Sequence, residues 1–240
     1  MYINTSGIIL HNLKYGDSST IITVYTLGFG RVSYLVHGVN KKKSTTRLAF
    51  FQPLSVVEME VTHQPAKELQ YIKEIRLNYV FTSIPYNPIK NSIALFLSEV
   101  LYRILRQVEV DERLYYFLKN SIETLDSSTG SVSNFHLIFL IQLSRYLGFE
   151  PNREENNHLY FDLLNGVFQK EKPHHLHYLL PEDAALFEQC LQTDFDTMQH
   201  LKLTRQQRVQ LLENLVDYYK LHVPNFHGLK SLEVLQNLFD

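Results

Sequence analysis

At 240 residues, 45% hydrophobic and 20% charged, the chain suits two modest domains and is too apolar to stay disordered. The single cysteine, Cys190, excludes an internal disulfide framework and fits a reducing compartment. No apolar run approaches the length of a bilayer span, and Met1 to Thr5 lack the basic and apolar blocks of a signal peptide, so a cytoplasmic protein is expected.

Residues 3–76 read as strands. Ile3 to Leu10 is rich in β-formers, and Thr20 to Thr26 is dominated by β-branched residues. Gly28 and Gly30 around Phe29 supply a tight hairpin. Arg31 to His37 then runs back, with Arg31, Ser33, Leu35 and His37 on one face and Val32, Tyr34 and Val36 on the other, which favours burial of Tyr34. A polar stretch from Val39 to Arg47 follows. A fourth strand is expected from Leu54 to Val61, a turn at His63-Gln64-Pro65, and a fifth strand from Glu68 to Ile75. Five short strands in this length make an OB-fold barrel the natural candidate.

The boundary is placed at Thr82 to Pro88, giving a barrel domain at 1–80 and a helical domain at 81–240. Ile89, Ile93, Phe96, Leu97, Val100, Leu101, Ile104 and Leu105 repeat at helical spacing. Asp111 caps a second helix to Leu125, and a third, almost wholly apolar, runs from Asn134 to Leu147 and is expected to be the buried central one. A hairpin insertion occupies about 150–180, with Asn165-Gly166 as its turn. Helices are expected from Pro181 to Leu191, from Thr204 to Leu221 and from Ser231 to Phe239. The fold class is therefore α+β, a five-stranded barrel followed by a mainly helical domain.

The formal charge of −2 hides an asymmetry. Residues 1–80 hold nine Lys/Arg and five Asp/Glu, a net of +4, whereas 81–240 hold fourteen and twenty, a net of −6. Such a field attracts a polyanion although the whole chain is slightly acidic. Lys41, Lys42 and Lys43 stand together with no carboxylate within ten residues, which suits hydrated ammonium groups to phosphate contacts that release counterions. Lysine is a point charge and would grip backbone without reading sequence. A solvated loop that keeps the barrel soluble is the alternative, and charge alone leaves both open. Tyr15, Tyr25, Phe29 and Tyr34 lie in or beside the basic strands; most such rings fill a core, and Phe29 at its hairpin tip is the better candidate for stacking on a base.

Signatures of catalysis are missing: no phosphate loop, no nucleophile elbow, no H-E-x-x-H. Asp194 and Asp196 form a D-x-D pair without a third ligand in view. His174, His175 and His177, with His158 nearby, read as a polar loop, since Cys190 is the only thiol and no C-x-x-C exists, and no metal or other cofactor is expected. Arg205 and Arg208, one turn apart, offer a cationic patch that could accept an acidic or C-terminal peptide; ordinary solvent-facing arginines are the simpler reading.

The stretch from Lys14-Tyr-Gly-Asp-Ser-Ser through Gly30-Arg31 and His37-Gly38 to Lys41-Lys-Lys-Ser44 resembles the N-terminal domain of the bacterial recombination mediator family RecO, in its Bacteroides-group form. Phe51-Gln52-Pro53-Leu54 matches the family's step into the fourth strand, and Ser231-Leu-Glu-Val-Leu235 its closing motif. The resemblance implies an OB-fold, a helical domain and, in many members, a four-cysteine zinc insertion; this chain has no cysteine across 153–170. It further implies a non-enzymatic, nucleoid-associated protein of DNA repair and recombination. Such proteins bind single- and double-stranded DNA, anneal complementary strands without ATP, associate with RecR, contact the single-strand-binding protein SSB, and help RecA load. The positions matching DNA contacts are Lys14, Arg31, Lys41, Lys42, Lys43 and Arg47. Two other classes remain at this point: an adaptor that binds partner peptides with little DNA affinity, and a metal-dependent nuclease using Asp194 and Asp196.

Overall fold

The computed structural model describes residues 2–16, 19–37, 50–106, 110–152 and 159–238. Five strands, β1 (Tyr2–Tyr15), β2 (Ser19–Thr26), β3 (Gly30–His37), β4 (Val56–Thr62) and β5 (Leu69–Leu77), close into a barrel in the order β1-β2-β3-β5-β4. The expected barrel is present. Its first strand is longer than the Ile3–Leu10 run because one bent strand serves two neighbours: Tyr2 to Ile8 pairs with β4, and Gly7 to Tyr15 pairs with β2. An irregularity between Ile9 and His11 provides the bend, as a bulge does. Closure rests on a short parallel seam, Ser33 with Leu69, Tyr34 with Gln70 and Leu35 with Tyr71.

Alternation fills the interior. Ile9, Ile22, Val24, Val32, Tyr34, Val57, Met59 and Val61 point inward and form the core with Phe51. Tyr34 is fully buried there, as its spacing from Val32 and Val36 implies. Gly7 is required by a close approach. A methyl on it would lie 2.5 Å from Val24 Cγ1 and 3.0 Å from Met59 Cε. Gly7→Ala is expected to destabilise the barrel by about 1–3 kcal/mol, seen as a lower urea midpoint at unchanged slope.

Beyond the barrel come α1 (Pro88–Ile104) and α2 (Glu112–Ser127). The Asn87 side chain accepts from the backbone N–H groups of Ile89 and Lys90, and Asp111 accepts from Arg113 and Leu114, so both starts are capped. Ile93, Phe96, Leu97, Val100, Leu101 and Ile104 form the buried face of α1, following the apolar period. Ser98 Oγ donates to the Leu10 carbonyl at 2.6 Å, tying α1 to the bend of β1. By chain contacts the molecule divides into two compact units, 1–127 and 128–240, so α1 and α2 belong with the barrel.

The second unit contains α3 (Phe135–Tyr146), buried along most of its length as a central helix should be. A three-stranded sheet follows, β6 (Tyr160–Asp162), β7 (Val167–Gln169) and β8 (Tyr178–Leu179), in the order β7-β6-β8. The expected hairpin is present, with Asn165-Gly166 in its turn. Residues 163–166 all lie in the connection, because the Asp162 carboxylate takes the N–H groups of Leu164 and Asn165 and Gly166 adopts a φ of 69°. Phe161 anchors the sheet, its ring 4.6 Å from Phe168, 4.7 Å from Phe187 and 5.7 Å from Tyr218. Phe187 belongs to α4 (Pro181–Leu191) and Tyr218 to α5 (Arg205–His222), whose start carries a Thr204/Gln207 capping box. A 3-10 turn (Met198–His200) precedes α5, and α6 (Lys230–Leu238) follows it. Among the described residues no helix is long and apolar enough to cross a membrane.

Candidate nucleic-acid interface

Cross-strand partners share a face, so the register of β1, β2, β3 and β5 writes out the barrel's outer surface in rows. Leu13 pairs with Ile21, Ile21 with Leu35, and Leu35 with Tyr71, a continuous apolar row. Leu13 is 57% exposed and Tyr71 48%. On one side lies the row Tyr15, Ser19, His37, where Ser19 Oγ and His37 Nδ1 are 2.9 Å apart and Tyr15 is exposed. On the other lies His11, Thr23, Ser33 and Leu69. Ile21 and Leu35, between Leu13 and Tyr71, are half-buried, so the row is a candidate contact surface rather than part of the core. Sequence reasoning placed Leu35 on this face but missed the band, because strand pairing assembles it from four separate segments.

The cations predicted from the sequence fall in different places. Lys14, paired with Thr20, is exposed near the end of β1. Arg31 lies on the outer face as alternation requires, but its guanidinium is already engaged. Nη1 donates to the Tyr102 carbonyl at 3.0 Å, and Cζ sits 4.5 Å above the Tyr102 ring. Burial, and then the nearby Arg106, make the charged form of Arg31 less favourable than usual. Lys41, Lys42, Lys43 and Arg47 lie outside the described residues. Phe29 is partly buried against the core, one face of its ring stacked on His63 at 4.1 Å.

The opposite wall of the barrel has another character. A cavity of about 580 Å³ lies there, lined by Asn4, Thr5, Glu58, Glu60, Glu74 and Arg76 among others. Glu58 pairs with Arg76 at 2.6 Å and Glu60 with Lys73 at 3.0 Å. Paired carboxylates and cations therefore line one wall, whereas the row Leu13, Ile21, Leu35 and Tyr71 on the other is uncharged.

In the second unit, Arg205 is exposed at the start of α5. Arg208 is turned inward, Nε donating to Asn134 Oδ1 at 3.0 Å and Nη2 to the Leu203 carbonyl at 3.2 Å. Asn134 also donates to Leu201 O at 2.7 Å, so it ties α3 and α5 together instead of capping α3. Asp194 accepts from the backbone and hydroxyl of Thr197, which makes it a turn residue. His175 Nε2 lies 3.1 Å from Asp162 Oδ2, and its Nδ1 accepts the His177 N–H. Cys190 is fully buried and burial pushes its thiol up to about 12. This donor set does not fit a zinc ion: the one thiol is inaccessible, and no cluster of three or more His, Cys, Asp or Glu able to hold a metal occurs among the described residues. The packing of Phe161, Phe168, Phe187 and Tyr218 holds the small sheet instead.

A closed five-stranded barrel in this order, followed by helices, defines an OB-fold protein with a helical extension. Family models described as recombination protein O N-terminal and C-terminal match residues 1–81 and 85–233. The chain is 42% identical over 240 residues to the DNA repair protein RecO of Phocaeicola vulgatus and 43% identical over 242 residues to that of Bacteroides fragilis, covering 100% of each chain. It is 38% identical over 241 residues to the RecO protein of Azobacteroides pseudotrichonymphae, again over 100% of both. The chain belongs to the RecO family.

Proposed function

We propose that this protein is a DNA repair and recombination mediator that binds single- and double-stranded DNA on the outer β1–β2–β3–β5 surface of its barrel. The observation that carries the reading is the apolar row Leu13, Ile21, Leu35 and Tyr71, exposed at Leu13 and Tyr71 and half-buried between them, with the exposed Tyr15 beside it. Rings and aliphatic surface receive bases whatever their identity, because every base has a stacking face. Ammonium and guanidinium groups hold the phosphates, and the affinity they supply falls with salt. Neutralising two phosphate chains lowers their mutual repulsion, so complementary strands meet without ATP and without a chemical step by the protein. In this reading it works at the nucleoid with RecR and SSB to load RecA on SSB-coated DNA.

The test separates stacking from charge. Tyr71→Ala combined with Tyr15→Ala is expected to weaken binding of a labelled single-stranded oligonucleotide by about 1–3 kcal/mol for each stack removed, measured by fluorescence anisotropy. The slope of log affinity against log salt should not change, since a stacked ring releases no counterion. Wild-type affinity in the double variant would remove the row from the interface. Capture of SSB by a protein with no measurable DNA affinity would favour the adaptor reading.

A further inference from the structure

At the C-terminal end of α1, three side chains crowd around the ring of Tyr102. The His11 ring stacks on it at 4.4 Å with a 25° interplanar angle, Arg31 Cζ lies 4.5 Å from its centroid and Arg106 Cζ 5.8 Å. Arg31 is committed, because its Nη1 bonds the Tyr102 carbonyl, where a cation is favoured by the helix dipole. Arg106 is exposed. Among the described residues no carboxylate is ion-paired with either arginine, and the nearby Glu99 is paired with Arg103 at 2.8 Å. Among the described residues, Arg31, Arg103 and Arg106 against Glu99 leave two positive charges held together on a helix end and a strand. Such crowding costs stability unless an anion occupies the site.

The position names the anion. His11 begins the row that runs through Thr23 and Ser33, next to the row of Leu13, Ile21, Leu35 and Tyr71. Same-face neighbours along a strand stand about 7 Å apart. A strand whose bases lie on the apolar row thus has its backbone within reach of His11 and Arg106. We infer that Arg106 and His11, arranged around Tyr102 and braced by Arg31, form a seat for a backbone phosphate of bound DNA. The imidazole offers a hydrogen bond and Arg106 the charge, while Tyr102 fixes the plane of the guanidinium. This seat rests on the barrel-surface reading and adds a phosphate contact to it, on a helix that the basic loop does not touch in sequence.

Arg106→Ala, Arg106→Lys and the Tyr71→Ala, Tyr15→Ala variant are compared with wild type in anisotropy titrations over a range of salt. Arg106→Ala is expected to flatten the salt slope by about 0.7 for single strands and about 0.9 for duplex, while Arg106→Lys keeps it. Arg106 is exposed at the helix end, and a melt unchanged from wild type will show that the variant is folded. A wild-type slope and affinity in Arg106→Ala, alongside weakened binding in the tyrosine variant, overturns the seat alone. Flattening in Arg106→Ala with wild-type binding in the tyrosine variant keeps the seat and overturns the apolar row. A wild-type protein without salt-dependent DNA affinity overturns both.

Discussion

Replacing Asp126 with alanine is expected to lower stability by about 3–5 kcal/mol, measured by urea denaturation followed by far-UV circular dichroism because the chain has no tryptophan. Asp126 ends α2 almost without exposure, and its carboxylate accepts the backbone N–H groups of Thr82 at 2.8 Å, Ser83 at 2.9 Å and Ile84 at 2.8 Å. The Thr82 hydroxyl at 2.8 Å, the Tyr79 hydroxyl at 3.2 Å and the Ser83 hydroxyl at 3.3 Å also donate to it. Lys90, also buried, donates to the Asp126 carbonyl at 2.8 Å and to Ser83 Oγ at 2.7 Å. Alanine would strand three N–H groups in a dry site and leave the Lys90 ammonium without the neighbouring carboxylate. Burial by itself would raise the Asp126 pKa, but the donors outweigh it and bring it down to about 2. A depressed carboxylate stabilises the fold above its unfolded value near 4 and loses that contribution as pH falls from there toward 2. The wild type should therefore lose stability across that window more steeply than Asp126→Asn. A cost below about 1 kcal/mol for Asp126→Ala would mean that water replaces the carboxylate and that the junction is not held as described.

Joint replacement of Lys41, Lys42 and Lys43 by alanine is the second large effect. Removing one phosphate contact should flatten the salt slope by about 0.9 on duplex, so the triple variant is expected to flatten it by up to about three units and to bind all sequences more weakly. Strand annealing, followed with and without SSB, should slow in parallel. The lysines carry no base-reading geometry, so the weakening should be the same for oligonucleotides of different composition. Filter binding that gives an unchanged affinity and slope would exclude this run as a main contact. The contrast with Tyr71→Ala is informative, since one change alters the salt dependence and the other leaves it alone.

Much of the barrel was legible in the sequence, and the reason is local. The β-branched run Thr20 to Thr26, the glycines around Phe29 and the alternation through Val32, Tyr34 and Val36 each specify a strand or turn without distant help. The helical period from Ile89 to Leu105 did the same for α1. What escaped depends on pairing across the chain. The bend in β1 exists because β4 and β2 compete for one strand, and nothing in Ile8-Ile9-Leu10 announces it. Leu54, expected to open the fourth strand, instead takes a φ of 64° and donates its N–H to Ile9 before β4 begins at Val56. Asp126 reads as an ordinary helix-end charge, because its partners lie 36 to 47 residues earlier. The site shows the same division. Charge asymmetry pointed to the N-terminal segment, yet Arg31 proved to be committed to Tyr102, Phe29 to His63 and Arg208 to Asn134. Partners 71, 34 and 74 positions away cannot be read from a neighbourhood in sequence.

The helices that follow the strands cover part of the barrel. Tyr25 faces outward from β2 yet is wholly covered, its hydroxyl 3.5 Å from the Asp111 carbonyl just ahead of α2, and the carbonyl of the buried Leu10 takes a bond from Ser98 of α1. A fragment ending near residue 80 would strip the Tyr25 hydroxyl and the Leu10 carbonyl of these partners. A fragment meant to carry the barrel is therefore expected to need α1 and α2 as well, since both lie in its compact unit.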